Sequence, residues 1–178
     1  KRADIIVVTK CPDNLTPVEK RIILKKISPD PYQQVLFSHT KYGDPVAVFP
    51  SSPPLLLQEK EKELTVILLT GISNPRPLED FLLNKKIKII SLTYPDHHEY
   101  TLVEATKLLE KFQDDNSSRK IIITTEKDAM RLDKPGLIEV LHNLPMYYIP
   151  IETTFDTKEK EAFDQLITDY VFRTGQKK

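Results

Sequence analysis

The sequence predicts an α/β protein built on a Rossmann-like, three-layer parallel sheet with helices on both faces. Three observations carry that expectation. Apolar, β-rich runs recur at residues 4–8 (DIIVV), 34–38 (QVLFS), 65–70 (TVILLT), 87–92 (IKIISL), 120–125 (KIIITT) and 146–151 (MYYIPI). Most are continuous rather than alternating, as expected of strands covered on both faces. From residue 65 onward strands and helical segments alternate, the order of right-handed βαβ units.

The helices announce themselves at their starts. Thr16-Pro17-Val18-Glu19 supplies a capping threonine, a proline at the first helical position and a glutamate that can bond back to the cap, opening a helix that runs to about Ile27. Thr101 and Glu104 repeat the capping box, and Ala105, Leu108, Leu109 and Phe112 then form one apolar stripe. Asp156 and Glu159 are expected to do the same for the last helix, with Phe163, Leu166, Ile167 and Tyr170 on its buried face. Asn74, followed by Pro75, is expected to cap a shorter helix through Leu78, Phe81 and Leu82. Residues 41–63, rich in proline and ending in the charged run EKEKE, read as an extended connection with a solvated surface.

Composition narrows the function. Twenty-six basic residues balance twenty-six acidic ones, so there is no net positive field to collect phosphates and nucleic acid is not expected as the main partner. One cysteine, Cys11, excludes an internal disulfide and a cysteine-cluster zinc site, and it reads as a small core thiol. No apolar run approaches the roughly 20 residues needed to span a bilayer, so the chain is expected to be soluble. The first residues, KRADIIVVTK, show neither an initiator methionine nor a signal-peptide pattern and lead at once into what reads as a buried strand. A preceding portion is therefore expected.

In an open parallel sheet ligands sit beyond the carboxyl ends of the strands, where loops distant in sequence share an edge. Three such loops are unusually polar here: TGISNPRP (70–77), YPDHHEYT (94–101) and TTEKDAMR (124–131). Gly71 permits backbone conformations closed to other residues, the helix start after it directs free N–H groups toward the edge, and Arg76 adds a fork of donors for a phosphate. Thr124 or Thr125 caps a helix whose Glu126 and Asp128 suit its dipole, while Lys127 supplies a cation. The adjacent His97 and His98 point in different directions. One of them, oriented by Asp96 and facing a cleft, could tune a carboxylate, shuttle a proton or bind a metal. His39 and His142 are isolated, so a complete zinc site is not expected. The letters DHH match the DHH-family phosphoesterases only superficially, because the further aspartate motifs of those two-metal enzymes are missing.

ADIIVVTKCP (3–12), LLTGISNPRPL (68–78), YPDHHEYT (94–101) and TTEKDAMRL (124–132), in that order, resemble the C-terminal part of the tetraacyldisaccharide 4'-kinases, the lipid A 4'-kinases of Gram-negative bacteria. The resemblance implies a P-loop type kinase that uses ATP and Mg²⁺ to phosphorylate the 4'-hydroxyl of the tetraacyldisaccharide 1-phosphate precursor of lipid A, at the cytoplasmic face of the inner membrane. It implies that residues 1–38 are a strand-helix remnant of the kinase core, 39–63 the connection and 64–178 the Rossmann-like C-terminal domain. No G-x-x-x-x-G-K-[ST] motif occurs, so the ATP phosphate-binding loop is absent from this chain and the fragment alone is expected to be inactive. Carried over residue by residue, Asp96 and His97 are the catalytic pair, with His97 also a contributor to a Mg²⁺ site. Lys10, Gly71, Asn74, Arg76, His98, Thr125, Glu126, Lys127 and Asp128 are expected to line the substrate or nucleotide cleft. The competing reading is a non-catalytic nucleotide- or anion-binding module acting through Gly71, Arg76 and Lys127.

Overall fold

A computed structural model describes residues 3–57 and 64–175. The run EKEKE lies outside the described residues. In chain order the elements are β1 (Ile5–Cys11), α1 (Pro17–Ile27), β2 (Gln34–Tyr42), β3 (Val46–Ala47), β4 (Leu64–Thr70), α2 (Arg76–Asn84), β5 (Lys88–Thr93), α3 (Leu102–Asp114), β6 (Arg119–Thr125), α4 (Glu126–Leu132), α5 (Pro135–Leu141), β7 (Met146–Ile149), β8 (Ile151–Phe155) and α6 (Thr157–Gly175). They form a mixed α/β protein of two compact units, one comprising Lys1–Tyr42 with Ile151–Lys178 and the other Gly43–Pro150. Among the described residues no helix is long and apolar enough to cross a membrane.

These units divide the chain differently from the sequence-derived boundaries. The run MYYIPI does not make one strand. Pro150 has no N–H to give a ladder, and the chain breaks there into β7, in the five-stranded sheet, and β8, in the three-stranded one. Residues 151–175 therefore group with the N-terminal segment rather than with 64–150. The expected extended connection is also more ordered than its prolines suggest. β2 continues through Tyr42, and Val46–Ala47 pairs with β7. The stretch beyond is pinned by Ser52 Oγ donating to the Leu144 carbonyl at 3.2 Å and Tyr147 Oη donating to Pro53 at 2.8 Å.

The first unit has strand order β1-β2-β8, with β1 parallel and β8 antiparallel to β2. The central strand β2 buries Leu36, Phe37 and Ser38, whereas β1, at the edge of the sheet within this chain, has no fully buried residue. The capping box at the start of α1 is present: Glu19 N–H donates to Thr16 Oγ1 at 3.3 Å and Thr16 N–H donates to Glu19 Oε2 at 2.8 Å. Glu159 does not close the box expected on α6. Its carboxylate instead takes Lys20 Nζ at 2.8 Å and the Phe37 N–H at 3.1 Å, an ion pair and a strand contact that outweigh a local cap. Phe163 stacks on Phe155 at 5.0 Å, but Ile167 and Tyr170, expected on the buried face, are exposed.

The second unit has strand order β3-β7-β6-β4-β5, with β4, β5, β6 and β7 mutually parallel and β3 antiparallel at one edge. Every residue of the interior strand β4 is buried. β5, which its sequence marked as buried, is the opposite edge and mixes half-buried with exposed positions. The core gathers Ile67, Leu69 and Ile122 from the sheet with Leu108 of α3, Leu132 of α4 and Leu137 and Leu141 of α5. The helix α5 has no counterpart among the sequence-derived elements, because its seven residues give too short a period to read.

Candidate functional site

Strand register decides where the three polar loops emerge. Thr70 lies opposite Thr93 and Leu69 opposite Thr124, so β5, β4 and β6 end at the same level. From β4 the chain moves to β5 on one side, then crosses back to β6 on the other and onward to β7. The ends of β4 and β6 thus flank a topological switch point, the place where open α/β sheets form their crevice.

At that point a single carboxylate ties the loops together. Asp128 is 0% exposed, and it is reached from two loops. Gly71 N–H donates to its Oδ2 at 2.9 Å, Thr125 Oγ1 donates to the same oxygen at 2.7 Å, and Arg131 Nη1 donates to Oδ1 at 3.0 Å. Thr125 is also the N-cap of α4, accepting the Asp128 N–H at 3.1 Å. The Gly71 carbonyl accepts from Arg131 Nη1 at 3.1 Å and from the His97 N–H at 3.2 Å, which brings in the loop after β5. The guanidinium completes the circuit, with Nη2 lying 3.2 Å from His97 Nδ1.

Gly71 is required here for a different reason than the one its sequence context suggested. Its φ is not positive. A Cβ would instead stand 3.0 Å from Asp128 Oδ1 and from Tyr100 Oη and 3.3 Å from His98 Cβ, so any side chain would press three neighbours apart by a few tenths of an ångström. Burial, and after it the charge of Asp128, push the Tyr100 phenol far above its usual range, so the hydroxyl stays protonated. Because the Gly71 N–H already serves a buried carboxylate, it is not free to bind a phosphate.

The two histidines divide cleanly. The ring of His98, 21% exposed, stacks on Tyr94 at 4.5 Å, meets Tyr100 edge-on at 5.1 Å and places Nε2 3.0 Å from Glu104 Oε1. Burial opposes ionisation of Glu104, but hydrogen bonds from the Thr101 N–H, His98 and the Thr101 hydroxyl outweigh it and hold the carboxyl below its ordinary range. His98 is therefore part of the packing under the loop and the cap of α3, not a group facing a ligand.

His97 is its opposite, with a side chain 75% exposed. Its φ of 61° lies in the left-handed region that non-glycine residues rarely enter, and such strain persists only where surrounding contacts hold it. The Asp96 side chain supplies one of those contacts by accepting the His97 N–H at 3.0 Å. Asp96 thus fixes the backbone of His97 and not its ring, since its Oδ2 lies 3.8 Å from Nε2, beyond hydrogen-bond reach. The ring is oriented by Arg131, a residue of the third loop that nothing in its local sequence singles out.

The remaining candidates scatter. Asn74 is exposed and accepts the Arg76 N–H at 3.3 Å, while the N-cap position of α2 falls on Pro75, which makes no side-chain cap. Arg76 is exposed at the start of α2, and Glu126 and Lys127 are exposed in the first turn of α4. Thr125 and Asp128 bond to each other, and Asp128, with no exposed surface, cannot line a cleft as expected. Lys10 belongs to the other unit, at a bulge of β1 where its φ is 58°. Cys11 donates to the Val8 carbonyl at 3.4 Å, and burial, then Glu159, push its thiol up, which suits a packed thiol rather than a nucleophile. Among the described residues no group of three or more His, Cys, Asp or Glu side chains is placed to hold a metal ion.

Comparison with known proteins places the chain in a family. The family model described as LpxK, tetraacyldisaccharide-1-P 4'-kinase, matches residues 1–171. The chain is 36% identical over 175 residues to the tetraacyldisaccharide 4'-kinase of Phocaeicola vulgatus, covering 98% of this chain and 48% of that protein. It is 36% identical over 179 residues to the enzyme of the same name from Bacteroides thetaiotaomicron, with 96% and 47% covered. The chain therefore spans about half the length of the curated relatives it matches. Among solved structures, LpxK from Aquifex aeolicus in complex with ATP aligns over 94% of this chain and 52% of its own, with a TM-score of 0.48 and 14% identity. On the extent of the family match and the identity to these relatives, the chain belongs to the tetraacyldisaccharide-1-P 4'-kinase family.

Proposed function

We propose that the chain is the C-terminal part of a kinase that transfers the γ-phosphoryl group of ATP to the 4'-hydroxyl of the tetraacyldisaccharide 1-phosphate precursor of lipid A, at the cytoplasmic face of the inner membrane. The observation that carries the reading is His97, an exposed imidazole held in a strained backbone conformation at the switch point of a parallel sheet. In this reading the second unit is a Rossmann-like domain, and the strand and helix within residues 1–38 are a remnant of a P-loop core that continues outside the chain.

The residues present do not fit ATP or Mg²⁺ by themselves. The four glycines make no G-x-x-x-x-G-K-[ST] loop, and the Gly71 N–H is spent on Asp128. The nucleotide and its metal would be held by the other half of the kinase. This chain then contributes the group that faces them: a sugar hydroxyl attacking a phosphoryl group gives up its proton late, and the His97 ring can tune the carboxylate that accepts it. In this reading Glu126 and Lys127, exposed in the first turn of α4, meet the polar part of the acceptor, and the exposed Arg76 and Asn74 extend that surface.

Phosphate transfer from labelled ATP to the disaccharide tests the reading. The whole kinase, carrying this chain as its C-terminal part, should phosphorylate the acceptor, and residues 1–178 alone should not. Transfer by the isolated chain, or none by the whole protein, would contradict it.

A further inference from the structure

We propose that Arg131 is the positioning residue for His97, and that it fixes the imidazole as the tautomer with its proton on Nε2, so that the ring presents an N–H donor outward to an anionic oxygen. The geometry is simple. Arginine has only donors, so the His97 Nδ1 that lies 3.2 Å from Nη2 accepts and carries no proton. An imidazolium, or the other neutral tautomer, would set N–H against N–H. The neutral ring must then carry its proton on Nε2.

The guanidinium cannot easily move to accommodate another state. Its side chain is 16% exposed, and Nη1 is committed to Asp128 Oδ1 at 3.0 Å and to the Gly71 carbonyl at 3.1 Å. Asp128, which takes that charge, is wholly buried and bonded to Gly71 and Thr125. The planar fork spans both duties, one arm on the buried lock and one on the imidazole. A lysine could keep the charge of the first but not both contacts at once.

The chemical consequence concerns the group His97 faces. An Nε2–H is a donor and has no lone pair for a metal, so His97 as held by Arg131 is not the Mg²⁺ ligand that the family resemblance allowed. It matches a carboxylate or phosphate oxygen. Within its own loop Asp96 Oδ2, at 3.8 Å, is too distant to take the proton, which leaves the donor available.

The catalytic consequence rests on the kinase reading above, whereas the tautomer does not, so the test has two parts. Nitrogen-15 NMR of the isotopically labelled chain, with its imidazoles neutral, should show His97 as a single Nε2–H tautomer whose Nδ1 signal is displaced by an accepted hydrogen bond. In Arg131→Met that signal should move to the position of a free imidazole and the second tautomer should appear. Arg131→Lys should do the same while retaining more thermal stability than Arg131→Met, because it keeps a cation beside Asp128. In the whole kinase Arg131→Lys should lower kcat by about 10–100-fold with little change in KM for ATP. A wild-type ring protonated on Nδ1, or His97 signals unmoved by both substitutions, overturns the proposal. Displaced ring signals with unchanged kcat would uphold the tautomer and overturn the catalytic consequence, making the role of Arg131 structural only. Absence of transfer by the unmodified whole kinase would instead sink the kinase reading and leave the ring spectra to decide the tautomer.

Discussion

Asp128→Ala should destabilise the second unit by about 3–5 kcal/mol, because it breaks a buried ion pair by removing one partner. The carboxylate receives Gly71 N–H, Thr125 Oγ1 and Arg131 Nη1, so its loss strands a backbone donor and a guanidinium that is only 16% exposed. In thermal unfolding that loss corresponds to a midpoint lower by about 6–20 °C. Asp128→Asn keeps the volume and some of the hydrogen bonding, and it should fall between wild type and alanine. A loss below about 1 kcal/mol for the alanine variant would assign the pair the energy of a surface salt bridge and remove Asp128 as the anchor of the three loops.

The second large effect is expected on turnover rather than stability. His97→Asn in the whole kinase should lower kcat by about 10²–10⁴-fold, the range for deleting a group that moves or tunes a proton in the transition state. Asparagine is the informative choice, since it tolerates the left-handed backbone that His97 adopts at φ 61° and so removes the imidazole without adding strain. The variant should unfold near the wild-type temperature, as the ring is mostly in solvent. His98→Ala should behave in the reverse way: its ring packs on Tyr94 and bonds Glu104, so stability falls while turnover stays within a few-fold of wild type. Wild-type kcat for His97→Asn, or equal losses of kcat for both histidines, would separate His97 from the chemistry.

The contrast between the two histidines also shows what could be read from the chain alone. Local signals were legible: the capping boxes of Thr16 with Glu19 and Thr101 with Glu104 form as their spacing demands, and the unbroken apolar runs of β4 and β6 mark the central strands. The meeting of three loops followed from parallel strands sharing a carboxyl edge. What failed depended on neighbours outside the local window. IKIISL reads as buried but supplies β5 at a sheet edge, and a residue's own sequence does not say how many strands lie beyond it.

At the site the same limit applies with greater consequence. Asp128 sits in the first turn of a helix, where an acid suits the dipole, and nothing local distinguishes that ordinary role from a buried anchor. Arg131 meets Gly71 and His97 across separations of 60 and 34 residues, so its role exists only once the sheet is assembled. Pro150 was the one long-range event with a local signature: a proline at the end of an apolar run where the chain leaves one sheet for another.

The amide of Gly71 reports most directly on a rim locked across three loops, because its hydrogen points at the buried Asp128 carboxylate and not at any partner within its own loop. In native-state hydrogen exchange it should be protected to the level of the β4 amides beside it, such as that of Leu68, and lose that protection in Asp128→Ala, which removes the acceptor. Exchange of the Gly71 amide at the rate of an exposed loop in the unmodified chain would show that the lock does not form, and the orientation of His97 would lose its physical basis.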